Sequence, residues 1–404
     1  MSGVACRACG RDRLEPFLDL GELPLAGAFL SDASEIAGER LFPLVIHVCA
    51  DCGLVQNVLP IAPELLFKQY FFSSSTVGPL VEHFKSYADF IRGSLQVNAV
   101  VEFGCNDGVL LEQLKARGAK TVGVDYAENI TAIARGKGLD VITGAFNLET
   151  ASAIRERIGP VDYVTGSNCF AHNHEPGEIL QAARHVLAPT GLLGLEVMYA
   201  GDLLEKLQWD TLYHEHLSVL SLGTLSLLLE RNGFHVVDVF RLPMHAGSLR
   251  VLASPDAKRV PHSRVAALTA EESRQRLNEA RTWHEFGRKV ERLIELVGNT
   301  MADIAAARRR IWAYGASGRA ALWLSACKMN YIERIVDSSP LRIGTLLPGT
   351  HQPVVPPAAM RAAPPDYVFV TAWNYFDVIR AKEDWFKGAW VTPLPRLEIF
   401  RPQP

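Results

Sequence analysis

The segment LYHEHLSVLS at residues 212–221 places a tyrosine, two histidines and a glutamate in consecutive positions. A neutral histidine is a natural base for a proton next to a carbonyl group, because its pKa lies near working pH. A carboxylate or a tyrosine beside it can orient that base or bind the substrate. The cluster Tyr213, His214, Glu215 and His216 therefore has three candidate uses: a metal site, a structural polar patch, or the acid and base groups of an enzyme.

The spacing of this cluster disfavours a metal site. The familiar catalytic zinc motif places its histidines four residues apart on a helix, whereas His214 and His216 are only two apart. Histidines at that spacing point to the same side of a strand and diverge on a helix. Packing explains one histidine, but four titratable groups in a row exceed what packing requires. Acid and base chemistry is therefore the favoured interpretation.

A second polar cluster, SNCFAHNHEP at residues 167–176, follows a segment that reads as a buried strand. It supplies Asn168 and His172 at the carboxyl edge of the predicted sheet, where open α/β sheets bind their ligands. We therefore expect both clusters to face one crevice. The earlier stretch KQYFFSSST, which contains Tyr70, is either a polar lid for this crevice or a polar linker.

Four of the seven cysteines form two Cys-x-x-Cys pairs near the start of the chain, each followed by glycine. Zinc prefers four thiolates in a tetrahedron, and two intervening residues let one tight turn aim both sulfurs at the same ion. The 39 residues between the pairs exceed the usual spacing, and a redox pair or simply buried cysteines are the alternatives. We predict a structural zinc site whose ligands are Cys6, Cys9, Cys49 and Cys52.

The segment VVEFGCNDGVLLEQL at residues 100–114 joins a predicted strand to a helix without the glycine spacing of a dinucleotide site. Asp125 ends the next strand, where a carboxylate can accept both hydroxyls of a ribose. Glycines and carboxylates without a phosphate cradle suit a nucleoside with a charged amino-acid tail, so we predict S-adenosylmethionine; glycines that serve packing only are the alternative. The predicted contacts are Glu102, Gly104, Asn106, Asp107, Gly108, Asp125, Asn168 and, against the adenine, Phe146.

Alternating strands and helices begin near Ala99 and resume after residue 310, which predicts an α/β protein with two parallel sheets. Two segments, FHVVDVFRLP and GSLRVLA, are expected to pair as a hairpin that closes the first block near Ser254. Between the two blocks, TAEE predicts a capping box with Thr269 as the cap and Glu272 three residues later. An apolar stripe then predicts one long helix, or two, joining the blocks.

Composition narrows the function classes. The 404 residues are 48% hydrophobic and 21% charged with a net charge of -3, which lacks the basic excess of a nucleic-acid-binding protein. No apolar run is long enough to span a bilayer, and the first residues do not resemble a signal peptide. We therefore expect a cytoplasmic protein of two or three domains, without nucleic acid or membrane partners, that is a monomer or a weak homo-oligomer.

The motifs together resemble the sugar C-methyltransferases of deoxysugar biosynthesis, part of antibiotic biosynthesis, nearly from end to end. The resemblance rests on the two cysteine pairs and on YFFSSST, EFGCNDGVLL, NCFAH, YHEHLS, HAGSLR, YGASGRA, LLPGTHQPVVPP and DYVFVTAWN. It implies a class I (Rossmann-like) methyltransferase domain between an amino-terminal zinc-ribbon-like module and a carboxyl-terminal Rossmann-like domain. The expected bounds are 1–66 for the zinc module, 67–255 for the methyltransferase domain, 256–310 for a linking helical segment and 311–404 for the carboxyl-terminal domain.

The resemblance also implies roles for individual residues. His216 would remove the proton next to the ketone of a nucleotide-linked 4-keto-deoxysugar, with thymidine diphosphate as the expected nucleotide. Tyr213, Glu215 and Tyr70 would hold or polarise the sugar, and His172 would lie near the enolate oxygen. Further contacts to the sugar nucleotide are expected from Ser248, Arg250, Ser317 and Arg319.

Two alternatives stay open. Methylation of oxygen or nitrogen would use His216 to deprotonate a hydroxyl or an amine, and a non-catalytic protein that binds zinc and S-adenosylmethionine would use no base. Some positions also depart from the family pattern: Val219, Trp323, and His174 with Glu175. These departures do not affect the methyltransferase prediction, but they leave the exact sugar, the methylated carbon and the stereochemical outcome open.

Overall fold

The computed structural model describes residues 4–59, 61–62, 65–66 and 70–401. The expected boundary between the first two domains, at residues 66 and 67, and the first two residues of KQYFFSSST lie at least partly outside those ranges. The strands of the described residues form three sheets. None of the helices in these ranges has the length and apolar character needed to cross a membrane.

The first sheet is antiparallel and joins the amino-terminal residues to the segment that follows YHEHL. Its strands, in spatial order, are β1 (Leu14–Pro24), β2 (Leu41–Cys49), β3 (Val55–Asn57) and β9 (Ser218–Val219). Because β1 pairs antiparallel with β2, Leu14 lies opposite Cys49. The start of β1 therefore lies beside the end of β2, which brings the two cysteine pairs together across their long separation in sequence.

The second sheet has seven strands in the order β10-β11-β8-β7-β4-β5-β6. In chain order they are β4 (Ala99–Phe103), β5 (Lys120–Asp125), β6 (Val141–Thr143), β7 (Val161–Ser167), β8 (Leu187–Met198), β10 (His235–Leu242) and β11 (Ser248–Ser254). Six of them run in the same direction. The seventh, β11, is inserted antiparallel between β8 and β10, so the predicted hairpin is confirmed.

Helices flank the second sheet because helical crossovers connect its successive parallel strands. They are α1 (Gly78–Asp89), α2 (Val109–Ala116), α3 (Glu128–Gly136), α4 (Leu148–Ile158), α5 (Pro176–Val186), α6 (Ala200–Glu205) and α7 (Leu222–Arg231). Single 3-10 turns follow three of the strands or helices and carry polar side chains. These turns are Phe170–His172, Trp209–Thr211 and Met244–Ala246.

The segment between the second and third sheets forms two helices, α8 (Ser263–Gln275) and α9 (Ala280–Ala306). The predicted capping box is wrong, because α8 begins six residues before Thr269 with His262 as its cap. The Thr269 hydroxyl instead donates to the carbonyl of Val265 within the helix. The Glu272 carboxylate accepts the backbone N–H groups at the start of α7, which makes it a cap for a different helix.

The third sheet has the strand order β14-β13-β12-β15-β16-β17, in which only the last pair is antiparallel. Its strands are β12 (Ile311–Tyr314), β13 (Ile335–Val336), β14 (Val354–Val355), β15 (Tyr367–Val370), β16 (Ala389–Thr392) and β17 (Glu398–Phe400). Its helices are α10 (Gly318–Ala326), α11 (Pro357–Ala362) and α12 (Phe376–Lys382). This is the doubly wound order, whose crevice opens at the carboxyl ends of β12 and β15.

One hydrophobic core runs through all three sheets. It includes Ile46 of β2, Val101 of β4, Val290 of α9 and Phe369 of β15, all nearly inaccessible to solvent. The three sheets therefore pack as one body around the segment that carries YHEHLS.

Candidate active site

His216 lies between the turn Trp209–Thr211 and β9. Its Nδ1 lies 2.5 Å from the carbonyl oxygen of Thr211. Because a carbonyl can only accept a hydrogen bond, Nδ1 carries the hydrogen and Nε2 keeps its lone pair. Burial, reinforced by the neighbouring His172, lowers the pKa of His216 well below its usual value. The imidazole is therefore neutral and can accept a proton at Nε2.

The two predicted polar clusters meet at this imidazole. The ring of His172, which ends the turn after β7, stacks on His216 with 5.0 Å between ring centroids. The ring of Tyr213 lies 4.0 Å from His216 by the same measure. Burial lowers the pKa of His172 to about 4, so this ring is neutral as well. Two neutral imidazoles and a phenol thus share one crevice at the carboxyl edge of the second sheet.

Glu215, in the same turn, has its carboxylate beside Gly27 of the amino-terminal module. Its side chain is buried, and burial raises its pKa to about 7, although Arg342 and a backbone hydrogen bond to Gly27 oppose the rise. A Cβ atom at residue 27 would lie 2.8 Å from the carboxylate, so only glycine permits this approach. Tyr70 lies within electrostatic range of Glu215 and Tyr213, and burial raises its pKa. These contacts bring Tyr70, Tyr213 and Glu215 to one wall of the crevice.

His214 points away from the crevice, to the amino-terminal module. It is fully buried, and its Nε2 lies 3.2 Å from the carbonyl oxygen of Phe42. The same module supports the neighbouring residues: Arg7 donates to the carbonyl of Leu217 at 2.9 Å, and β3 pairs with β9. The amino-terminal module therefore fixes the position of the YHEH turn.

The four cysteine sulfurs fit a tetrahedral zinc ion. All four Sγ atoms lie within 4.8 Å of one another, with 3.6 Å between Cys6 and Cys52 and 3.5 Å between Cys9 and Cys49. Zinc–sulfur bonds of about 2.3 Å at tetrahedral angles require sulfur separations of about 3.8 Å. Among the described residues this is the one such cluster of ligand atoms, so the YHEH turn forms no comparable site.

The loop after β4 depends on glycine at two positions. Gly104 and Gly108 have φ of 64° and 80°, which favours glycine. A Cβ atom would lie 2.5 Å from the sulfur of Cys169 at the first position and 2.3 Å from Leu139 at the second. The backbone N–H of Asn106 donates to Asp125 at 2.9 Å. The loop therefore folds tightly against the end of β5 and exposes its backbone to the crevice.

Carboxylates around this loop suit a cationic ligand. Glu102 Oε2 and Asp107 Oδ1 are buried without a hydrogen-bond partner among the described residues. Burial raises the pKa of Glu102, and the nearby Asp125, Glu196 and Asp107 raise it further. S-adenosylmethionine carries an ammonium and a sulfonium group, and its adenosine hydroxyls suit Asp125 at the strand end. These observations fit the cofactor that the sequence predicts.

The segment 70–76 crosses this loop. Ser73 donates to the Asp107 carboxylate at 2.7 Å, and the backbone N–H of Ser74 donates to the Asn106 side chain at 2.9 Å. Asn106 in turn donates to the carbonyl of Phe72. The side chain of Asn106 is therefore committed to this segment, and a role in cofactor binding would fall to its backbone.

The remaining predicted cofactor contacts differ in their surroundings. Asn168 adopts φ of 55° at the end of β7, and its backbone N–H donates to the carbonyl of Glu196. The ring of Phe146 is nearly buried and stacks on Phe103 with 5.3 Å between centroids. One face of Phe146 is thus occupied by protein, and its contact with adenine stays a prediction.

Two arginines from the carboxyl-terminal domain reach the crevice. Arg319 follows the loop between β12 and α10, which begins after Ser317, and donates to Asn374 at 3.1 Å and to the carbonyl of His245 at 3.4 Å. Burial raises the pKa of Glu215 and of the two crevice tyrosines, and Arg342 opposes that rise in all three. The sequence predicted Arg319 but missed Arg342, which follows β13 in a loop without a recognisable motif.

The turn that precedes YHEH is tied to the carboxyl-terminal domain. The buried carboxylate of Asp210 accepts the indole N–H groups of Trp323 at 3.0 Å and Trp373 at 2.8 Å. A Cβ atom at Gly318 would lie 3.0 Å from the ring of Tyr213. Trp323, which departs from the family pattern, therefore has a structural role: its indole holds the carboxyl-terminal domain against the catalytic turn.

Ser248 and Arg250 have internal partners in this structure. Ser248 is fully buried and donates to the carbonyl of Met244. The buried Arg250 pairs with Glu196 at 2.5 Å and lies over the ring of Tyr87, and His83 is the other partner of Glu196. The roles of Ser248 and Arg250 in substrate binding stay predictions, since these contacts place them behind the crevice wall.

Known families cover nearly the whole chain. Residues 6–67 match the family "Putative zinc binding domain", residues 82–239 match "Methyltransferase domain", and residues 243–395 match "C-methyltransferase C-terminal domain". Together with the strand order of the second sheet, these matches define an S-adenosylmethionine-dependent methyltransferase of class I with a zinc-binding module. The chain is also 35% identical over 403 residues to the C-methyltransferase NovU of Streptomyces niveus, covering 98% of this chain and 96% of that protein.

The chain therefore belongs to the C-methyltransferase family that includes NovU. A shorter match, 32% identity over 105 residues, joins it to the ubiquinone biosynthesis O-methyltransferase of Bordetella avium, covering 25% of this chain and 43% of that one. Among solved structures, magnesium protoporphyrin IX methyltransferase of Synechocystis is 16% identical with a TM-score of 0.34, covering 43% of this chain and 82% of that chain. A methyltransferase of Archaeoglobus fulgidus is 19% identical with a TM-score of 0.35, covering 48% and 86%.

Acidification is expected to weaken S-adenosylmethionine binding at higher pH than ordinary carboxylates would require. Burial raises the pKa of Glu102 and of Asp125, so both take up protons early as the pH falls, and the protonated cluster attracts a cation less. Calorimetric titrations between about pH 5 and pH 8 should show the dissociation constant rising toward low pH. Glu102→Gln should flatten that dependence, whereas Glu112→Gln, at an exposed site, should preserve it. A wild-type affinity that does not change with pH would contradict the assignment.

Proposed function

We propose that this enzyme methylates the carbon next to the keto group of a nucleotide-linked keto-deoxysugar through an enolate generated by His216. The observation that carries the proposal is the pair of arginines at the crevice. The side chain of Arg342 is only 14% exposed, its Nε has no partner among the described residues, and Asp337 lies 3.4 Å away. The carboxylate of Asp337 already accepts two backbone N–H groups. Arg342 therefore has unused hydrogen-bonding capacity.

Arg319 also has guanidinium N–H groups that the protein does not fully use. Its hydrogen-bond partners among the described residues are the neutral oxygens of Asn374 and His245, and its guanidinium lies over the ring of Trp373. A partly buried guanidinium whose N–H groups are not all satisfied by the protein favours an anionic ligand. Arginine binds phosphate oxygens through paired N–H groups. We infer that the diphosphate of a sugar nucleotide, with thymidine as the expected nucleoside, lies between Arg319 and Arg342.

The catalytic turn supplies the remaining groups. Nε2 of His216 takes the proton from the carbon next to the ketone, since Nδ1 is held by Thr211. Tyr213, Glu215 and Tyr70 hold the sugar, and His172, neutral beside His216, donates toward the enolate oxygen. Preorganised donors of this kind lower the energy of the developing negative charge.

When bound, S-adenosylmethionine would supply an electrophilic methyl group to the enolate carbon, and its sulfur would leave as the neutral thioether of S-adenosylhomocysteine. The loop of Gly104 and Gly108 and the carboxylates of Glu102 and Asp125 hold the donor at the carboxyl edge that also carries His172. Alignment of the two reactants at about 3 Å removes much of the entropic barrier. The base then releases its proton to solvent, so the net change is one methyl group gained and one proton lost by the sugar.

The substrate class is tested by incubating the enzyme and S-adenosylmethionine with a panel of thymidine-diphosphate keto-deoxysugars. Mass spectrometry should show the gain of one methyl group on at least one 4-keto sugar, and fragmentation should place it on carbon. A methyl group found on oxygen or nitrogen would contradict carbon methylation and favour the first alternative. Calorimetric failure to bind S-adenosylmethionine would favour the non-catalytic alternative.

Replacing either arginine by alanine is expected to weaken substrate binding selectively. Loss of a charge-assisted hydrogen bond to phosphate should raise KM for the sugar nucleotide by about 10- to 100-fold, with a smaller effect on kcat. The affinity for S-adenosylmethionine should not change in Arg342→Ala, because among the described residues the Arg342 side chain pairs with Asp337 and makes no hydrogen bond to the glycine loop. Steady-state kinetics measure KM and kcat. Calorimetry with thymidine diphosphate and with S-adenosylmethionine measures the two affinities.

Arg334→Ala is the matched control, since Arg334 belongs to the same domain, is exposed and stacks on Trp312. It should leave KM unchanged. Wild-type KM values in both Arg319→Ala and Arg342→Ala would exclude the proposed diphosphate site.

A further inference from the structure

The turn between β10 and β11 holds an unusual run of backbone conformations. His245, Ala246 and Gly247 have φ of 53°, 70° and 142° in succession. Residues other than glycine rarely adopt positive φ, and they persist there only when the surrounding structure imposes the conformation. Such strain is concentrated at functional sites. The turn carries the HAGSLR motif. Only Ser248 and Arg250 of this motif have predicted roles in the function described above.

Hydrogen bonds from two neighbouring segments and a close steric contact with a third impose this conformation. Lys206 and Gln208 both donate to the carbonyl of Ala246, at 2.6 and 2.9 Å. Arg319 donates to the carbonyl of His245 from the carboxyl-terminal domain. A Cβ atom at Gly247 would lie 2.4 Å from Asp202, so the chain also fits closely against α6. The backbone of the turn is therefore fixed by its neighbours, and the position of His245 is fixed with it.

The partly buried His245 lies beside the crevice, because Arg319, which reaches the crevice, donates to its backbone carbonyl. It lies close enough to His216 to influence the pKa of that base, and it also feels Arg319, His83 and Glu196. Among the described residues, no hydrogen bond joins the His245 ring to another protein group, although the ring is only partly exposed. A partly buried imidazole without a protein partner has both a donor and an acceptor to offer to a ligand.

The chemistry of the ring selects which part of the ligand it contacts. Burial, aided by Arg319, lowers the pKa of His245 to about 4, so the ring is neutral at ordinary pH. A neutral imidazole suits a hydroxyl, which donates and accepts, better than a phosphate, which the adjacent arginine is better able to bind. The position between Arg319 and His216 corresponds to the sugar ring of the substrate.

We propose that His245 is a further substrate-contacting residue, which hydrogen-bonds a sugar hydroxyl and thereby turns the acidic carbon toward Nε2 of His216. This role rests on the proposed function, because it requires a sugar between the arginines and the base. It assigns a purpose to the strained turn: the left-handed backbone carries the imidazole from the hairpin tip into the crevice.

Paired glycine substitutions test this role. His245→Gly and Ala246→Gly both relieve positive-φ strain, so both proteins should melt at the wild-type temperature or above it. His245→Gly should lower kcat/KM for the thymidine-diphosphate keto-sugar by about 10- to 100-fold and slow exchange of the acidic proton. Its affinities for thymidine diphosphate and S-adenosylmethionine should stay within about twofold of wild type, since those contacts lie elsewhere. Ala246→Gly should keep wild-type kinetics.

The possible outcomes separate the two proposals. Wild-type kcat/KM in His245→Gly, in an enzyme whose wild-type form is active on the sugar nucleotide, would overturn the role of His245 alone. A lower melting temperature in His245→Gly would show that the ring stabilises the turn, and would also overturn it. Failure of the wild-type enzyme to methylate any nucleotide keto-sugar would overturn the proposed function, and the role of His245 with it.

Discussion

Replacing His216 with asparagine should stop methyl transfer while both ligands still bind. Asparagine is smaller, but its amide N–H can take the place of Nδ1 and still donate to the carbonyl of Thr211, and it offers no basic nitrogen in place of Nε2. A general base typically contributes about 10²- to 10⁴-fold, so kcat should fall by at least the lower figure. Calorimetry should give wild-type affinities for S-adenosylmethionine and thymidine diphosphate.

His214→Gln is the control for this prediction. His214 is two residues away and fully buried, but its Nε2 faces the carbonyl of Phe42 rather than the crevice. A glutamine can keep that hydrogen bond, so activity per folded molecule should stay near that of the wild type, with some loss of thermal stability. Full activity in His216→Asn, or equal loss of activity in both variants, would contradict the assignment of the base.

Removing zinc should destabilise the amino-terminal module and abolish activity together. Structural zinc contributes on the order of 10 kcal/mol to the folding of small modules that depend on it. The module also holds the catalytic turn through Gly27 against Glu215, Phe42 against His214 and β3 against β9. Chelation, or Cys49→Ser, should therefore lower the melting temperature and the rate of methyl transfer in parallel. Added zinc should restore both in the chelated wild type.

Cys327→Ser provides the comparison for the zinc experiment. This thiol lies in the carboxyl-terminal domain, 3.6 Å from the carbonyl oxygen of Ile294 and outside the zinc cluster. The variant should keep one zinc ion and wild-type activity, as measured by metal analysis and the methyl-transfer assay. A metal-free enzyme with unchanged melting temperature and activity would show that zinc does not support the catalytic turn.

Local patterns in the sequence predict much of the fold. Alternating apolar segments identify β4, β5, β7, β8 and the hairpin of β10 and β11, because buried strands and amphipathic helices differ in period. Local patterns did not predict which distant segments pair with one another. Two residues, Ser218 and Val219, complete the amino-terminal sheet, and Glu272 caps α7 rather than its own helix. Both features arise from tertiary contacts that neither segment encodes alone.

The candidate site was likewise predicted from the sequence only in part. His172, Tyr213 and His216 stand out because several titratable groups follow predicted strands or turns. The structure brings the rings of His172 and Tyr213 within 5.0 Å of the His216 ring. Arg342 and His245 were missed. An arginine in a loop without a motif looks like a surface residue in the sequence, and a left-handed backbone at histidine cannot be read from residue types. Only the packed structure reveals that Arg342 keeps a buried Nε without a hydrogen-bond partner and that His245 has a left-handed backbone.

Solvent exchange of the proton next to the ketone tests the central claim most directly. The thymidine-diphosphate keto-sugar is incubated in D₂O with enzyme and S-adenosylhomocysteine, so that proton removal is observed without methyl transfer. The account predicts that wild-type enzyme exchanges this proton for deuterium and that His216→Asn does not. Methyl transfer by the wild type without any such exchange, or exchange at the wild-type rate in His216→Asn, would contradict it.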